Sequence, residues 1–263
     1  MLTAAIALCA GSSLPFLAGS STLNPERDSV KSEVPYCVTS PSVPDKITFA
    51  GQAIDLLRYD HRERMDRELM SFTYMHSTTM LMVKRANRYF PVIEPILKAN
   101  GLPDDFKYLA VIESNLNPLA KSPAGAAGLW QFMPATGREF GLEVNSNIDE
   151  RYHIEKETKA ACKYLKDAYQ KYGNWLCVAA AYNAGQGRIS TQLQKQMVDQ
   201  AVDLWLVEET SRYMFRLLAA KSSHQQSTAV RLSVETGTSL SAHPLHGSDR
   251  HNGHRQPGTV CQR

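Results

Sequence analysis

Between Leu109 and Pro134 the chain reads LAVIESNLNPLAKSPAGAAGLWQFMP, and its one carboxyl group is Glu113. A polar run broken by glycines follows, carrying Ser122, Gly125, Gly128, Trp130 and Gln131. A carboxylic acid at the rim of a groove lined with hydroxyl, amide and aromatic groups suits chemistry on a sugar. The acid protonates a leaving oxygen, and the other groups hold hydroxyls and ring faces. The glycines let the backbone approach a ligand closely. Trp130 and Phe132 fit either a core or a sugar platform, and Gln131 between them needs a polar partner if it is buried.

The elements that must position these groups are helical. A helix starting at Asp104 or Asp105 places Ala110, Leu109 and Phe106 three, four and seven positions before Glu113, on the face that Glu113 shares. Glu113 also falls in the last turn before Asn115 and Pro118. Partial burial and the negative end of the helix dipole both disfavour its anion, so its pKa should rise toward the range a general acid needs. The alternative from the helix alone is a buried glutamate satisfied by an Arg, a Lys or a backbone donor.

Downstream, Pro134 opens a short helix that ends by Gly141, and Glu155–Tyr172 repeats helically until Gly173 stops it. Asn174 can cap the next helix, where Trp175, Val178, Ala179 and Tyr182 share a face before Gly185. Further helices are predicted over 186–196 and 207–221. Upstream, Asp45 reads as an N-cap for a helix with Ile47, Ala50, Ile54 and Leu57 at helical spacing, and Met65, Leu69 and Phe72 continue the period. Another helix should end before Pro91, and a short one carrying Ile93, Ile96 and Leu97 should stop at Asn100-Gly101. The fold class expected is mainly α, with no strand-rich region. Residues 46–221 form the domain, with its core over about 90–221.

Residues 1–20 are uncharged and largely apolar, and resemble a secretory signal peptide without a basic start. Residues 21–45, rich in Ser, Pro and Thr, read as a linker, and 222–263, with five of the eight histidines, as a disordered tail. A metal site at His243, His246, His251 and His254 is the weaker reading of that tail, and no metal is expected. The five cysteines do not have zinc-site spacing. Cys162 and Cys177 read as buried core residues, or as a bridge if the chain is exported. A formal net charge of +3 is too mild to argue for nucleic acid but is compatible with an anionic polymer.

Four motifs in order resemble the lytic transglycosylase family of bacterial cell-wall enzymes, most nearly its membrane-bound D type. They are Glu113-Ser114 with Ser122, then Gly128-Leu129-Trp130-Gln131-Phe132-Met133-Pro134, then Ala181-Tyr182-Asn183-Ala184-Gly185, and finally Glu209-Thr210-Ser211-Arg212-Tyr213. The resemblance covers about residues 47–220. It implies a lysozyme-like fold, peptidoglycan glycan strands as substrate, no cofactor, a monomer, and a periplasmic or cell-envelope location with membrane association through the N-terminus. It implies that Glu113 is the catalytic acid and base, and that Ser122 contacts substrate near the scissile bond. Gln131 and Met133 would line the groove. Tyr182 and Asn183 would position the sugar and orient the glutamate, and Glu209 and Tyr213 would bind more distally.

Most glycosidases need two flanking carboxylates. No second acid lies in the loop, and the next, Glu139 and Glu143, fall outside the motifs. A single-acid reaction fits: Glu113 protonates the glycosidic oxygen, then takes the proton of the muramic acid C6 hydroxyl as that hydroxyl closes on C1. A hydrolytic muramidase of the same fold, with Asp149 or Glu150 as second acid, and a non-catalytic peptidoglycan-binding protein are the rivals.

Overall fold

A computed structural model describes residues 40–205 and 208–235, with side chains described as far as 228. The signal-peptide stretch, nearly all of the linker, the histidines from His243 onward and Cys9, Cys37 and Cys261 lie outside the described residues. Among the described residues the chain is mainly α, as expected. A short hairpin is followed by eight helices: α1 (Tyr59–Tyr74), α2 (His76–Ala99), α3 (Lys107–Ser114), α4 (Pro134–Glu139), α5 (Ile154–Tyr172), α6 (Trp175–Ala184), α7 (Gln186–Gln196) and α8 (Glu208–Glu235).

The hairpin corrects the helix expected after Asp45. Strands β1 (Lys46–Phe49) and β2 (Gln52–Asp55) pair antiparallel, with Ile47 opposite Ile54. Ile47, Phe49, Ile54 and Leu56 are buried, which is the alternation of a strand face and not a helical stripe. The deciding residues are Ala50 and Gly51, with φ of 51° and 79°, both left-handed as a two-residue hairpin turn requires. The Ala50 N–H donates to Asp105 Oδ2 at 2.7 Å, and Lys221 Nζ donates to the same oxygen at 2.8 Å and to Thr48 O at 2.7 Å. One partly buried ion pair thus joins the hairpin, the turn that leads into α3, and α8.

Two further boundaries move. Helix α2 runs through Pro91 and Pro95 instead of breaking. Each proline withholds one backbone donor, but Phe90, Ile93 and Leu97 are buried along one face, and α2 packs on α3 and α5. Met82 is in that core, whereas Met75 and Met80 are exposed. Helix α8 continues past Lys221 to Glu235. His224, beyond the expected domain boundary, still packs its ring 5.1 Å from Phe90, and its Nδ1 lies 3.2 Å from the Tyr108 hydroxyl.

The downstream helices follow the sequence closely. Gly173 ends α5 at φ 60°, and the Asn174 side chain accepts from Leu176 N–H and Cys177 N–H to cap α6. Ala179, Ala180 and Ala181 are fully buried, and α6 packs against α5, α7 and α8. Cys162 and Cys177 are free, buried thiols. No described helix is long and apolar enough to cross a membrane.

Candidate active site

Helix α3 is short, and its length determines where Glu113 stands. Three 3-10 residues, Asp104–Phe106, lead in, and Asn115 ends it in the left-handed conformation at φ 51°. Arg85 Nη1 donates to Asn115 O at 3.0 Å, satisfying a carbonyl that the helix leaves open. Phe106, Leu109 and Ala110 are fully buried, and each large apolar side chain contributes roughly 1.5–3 kcal/mol. That anchoring carries Glu113 into a position where its carboxyl is largely shielded from water, with the pKa pushed up to about 7 by burial. Two groups oppose the rise: the Tyr213 hydroxyl, which donates to Glu113 Oε1 at 2.7 Å, and the Arg216 guanidinium. No second carboxylate is among the described groups that act on it.

The following loop is held by hydrogen bonds more than by apolar packing. Ser122 N–H donates to Ala126 O at 2.8 Å, and Ser122 Oγ accepts from Ala126 N–H at 3.0 Å. Gln131 has φ 50° and donates its side-chain N–H groups to Gly128 O at 2.8 Å and Ala120 O at 3.2 Å. Its amide is the polar lock of the loop. Gly128, at φ 85°, is where the first turn of α5 meets the loop: a Cβ there would lie 1.8 Å from Arg151 O and 2.3 Å from Glu157 Oε2. Trp130 is fully buried, with Nε1 donating to Thr158 Oγ1 at 3.0 Å, and Phe132 is buried too, so both aromatics are core.

Two residues not expected from sequence hold this loop. Arg151, almost fully buried, donates from Nη1 to Gly125 O at 2.8 Å and Phe132 O at 2.9 Å, while Asp149 accepts from its Nε and Nη2 at 2.9 and 2.7 Å. That pairing holds the Asp149 carboxyl below its ordinary value. Glu157, with no exposed surface, accepts from Trp130 N–H at 3.2 Å and from Leu129 N–H, and burial pushes its pKa up to about 8. The signal for Glu157 was present: it lies four and eight residues before Ala161 and Leu165, on the buried face of α5.

The opposite wall comes from α6 and α8. Tyr182 donates its hydroxyl to Trp130 O at 2.7 Å, with its ring edge-on to Trp130, Phe132 and Tyr164. Burial first, and then the charge of Glu113, push its pKa well up. Tyr213 is brought onto Glu113 itself because α8 packs against both α3 and α6. Asn183 is half-buried, its side-chain amide has no hydrogen-bond partner among the described residues, and Met133 is exposed. Glu209 is exposed in the first turn of α8. Glu150 is bound by the Glu143 N–H at 2.9 Å and by Lys156, which keep its pKa low. Among the described residues no group of three or more His, Cys, Asp or Glu could hold a metal ion.

A carboxyl near neutrality under a phenol, a loop fixed by its own backbone, and a buried tyrosine at the end of α6 make up this site. Residues 90–203 match the model of the transglycosylase SLT domain. Membrane-bound lytic murein transglycosylase D of Escherichia coli K12 is 33% identical over 163 residues, 60% of this chain. The alignment spans only 35% of that relative's length. Soluble lytic murein transglycosylase of the same organism is 40% identical over 86 residues, 31% of this chain and 13% of that protein. A crystal structure of the 70 kDa soluble lytic transglycosylase from Escherichia coli aligns over 53% of this chain and 24% of that one, at 27% identity and a TM-score of 0.45.

Proposed function

We propose that this protein is a peptidoglycan lytic transglycosylase, and that Glu113 acts first as acid and then as base. The observation that carries the reading is the solitary carboxyl. Glu113 is poised near neutrality, and Asp149 and Glu150, the two candidates for a second acid, are each bound to a cation on their own segment. Protonated Glu113 donates to the oxygen between N-acetylmuramic acid and N-acetylglucosamine. The bond from C1 to that oxygen breaks, and the oxygen leaves as a hydroxyl. The C6 hydroxyl of the same muramic acid closes on C1 and gives its proton to the Glu113 carboxylate, which returns to its starting form. No water enters, and the product is a 1,6-anhydro sugar. An internal nucleophile has a high effective concentration, so the protein needs no nucleophile of its own.

The Tyr213 hydroxyl favours the carboxylate formed midway through this cycle and fixes its orientation. This gives Tyr213 a role closer to the chemistry than the distal one the resemblance implied. Ser122, Gln131 and Met133 belong to the loop wall, Gln131 acting by holding the loop. Tyr182 and Asn183 supply the facing wall, where the unpaired Asn183 amide is free for a sugar. Glu209, exposed on α8, would meet more distant parts of a strand. The name of the membrane-bound relative supports a cell-envelope location. Anchoring through residues 1–20 and a monomeric state complete the proposal.

Mass spectrometry of purified cell wall digested with the protein tests it. Anhydro-ended fragments are expected. Reducing ends heavier by one water would replace this reading with a hydrolytic muramidase, and binding without release would replace it with a wall-binding protein.

A further inference from the structure

Glu157, in the first turn of α5, is used by neither the acid–base chemistry nor the sugar-facing walls, yet it is fully buried against the loop. Its Oε2 takes the Trp130 N–H at 3.2 Å, it also receives the Leu129 N–H, and its Oε1 has no partner among the described residues. The other ends of the same two residues are bound to the walls of the site. Leu129 O lies 2.9 Å from Ser114 Oγ, the residue after Glu113, and Trp130 O accepts from the Tyr182 hydroxyl at 2.7 Å. Two consecutive residues are therefore gripped by Glu157 through their N–H groups and by α3 and α6 through their carbonyls. The contact has no slack, since even a methyl on Gly128 would collide with Glu157 Oε2.

We infer that Glu157 is a positioning residue for the cleavage reaction: by fixing the Leu129 and Trp130 peptides it sets the spacing between Glu113 on α3 and Tyr182 on α6. The inference rests on the activity proposed above. What the function needs is an acceptor oxygen with the reach of glutamate. The Trp130 peptide it holds is the one whose carbonyl receives the Tyr182 hydroxyl.

Two variants separate reach from charge. Glu157→Gln keeps a carbonyl at the same distance and loses the charge. Glu157→Asp keeps the carboxyl and withdraws it by one methylene. On solubilised glycan strands, with rates normalised to folded protein by circular dichroism, Glu157→Asp should lower kcat about 10- to 100-fold with KM within about twofold, as a small misplacement does. Glu157→Gln should stay within about threefold of wild type. Combining Glu157→Asp with Tyr182→Phe should cost little more than the worse single variant, because the two act along one path. Equal kcat in all three proteins, a loss in Gln with Asp intact, or losses that multiply in the double variant would each overturn the inference. If wild type itself releases no product, the proposed function fails, and that result is distinct from any of these.

Discussion

The last turn of α3 and the first turn of α5 each carry a carboxyl pushed toward neutrality, and burial is the main cause in both. Their surroundings differ. Glu113 receives a phenol hydroxyl, feels a guanidinium and keeps some exposed surface, so it can exchange its proton with a ligand. Glu157 receives only backbone N–H groups and has no exposed surface. A raised pKa is therefore not enough to mark a catalytic acid: the group must also be reachable, with partners that favour the anion it becomes. Glu113 meets that condition, and Glu157 fixes the frame around it.

Substitutions can break or sharpen this contrast, and they rank by size. Gly128→Ala strikes the α5 side, placing a methyl against Arg151 O and Glu157 Oε2 at a left-handed φ. It should cost about 3–5 kcal/mol, read by denaturant unfolding. Arg151→Met removes the donors to Gly125 O and Phe132 O and leaves Asp149 unpaired. With Asp149 partly exposed, the loss should be about 2–4 kcal/mol in the same assay.

Changes on the α3 side are smaller in stability and larger in pH response. In the proposed reaction the protonated form of Glu113 makes the first proton transfer, so kcat should fall as pH rises through about 7. Tyr213 favours the anion. Tyr213→Phe should therefore raise the pKa and move this limb to higher pH by ~0.5–1 unit, with kcat down ~10-fold. A limb that stays in place or moves down would separate Tyr213 from Glu113.

Stability completes the contrast. A carboxyl with a raised native pKa favours the fold below its unfolded value, and that contribution is lost as pH climbs through about 7. Glu113→Gln should thus be more stable than wild type above neutrality, by on the order of 1–3 kcal/mol, with the difference vanishing near pH 4. Thermal melts across that range would show it.

Much of this was legible from the sequence, and the exceptions share a physical cause. Period and caps place α3, α5 and α6 because their signals are local, as with Gly173 and Asn174. Helical spacing at Ile47, Ala50 and Ile54 misled, because Ala50 turned out to be a turn residue and Phe49 and Leu56 the buried partners. Pro91 and Pro95 did not break α2, because packing on neighbouring helices outweighs the loss of two donors. At the site, the positions of Glu113 and Tyr182 could be read along the chain. The grip of Arg151 and Glu157 on the loop, and the seat of Tyr213 on Glu113, join residues far apart in sequence, and no local pattern encodes them.

The central claim is that one carboxyl, Glu113, runs the reaction and the other does not. Glu113→Gln and Glu157→Gln, assayed side by side for release of soluble fragments from purified cell wall, test it. The account predicts a loss of at least ~10³-fold in kcat for Glu113→Gln, with Glu157→Gln near wild type. Continued turnover by Glu113→Gln, or an equal collapse of both variants, would contradict it.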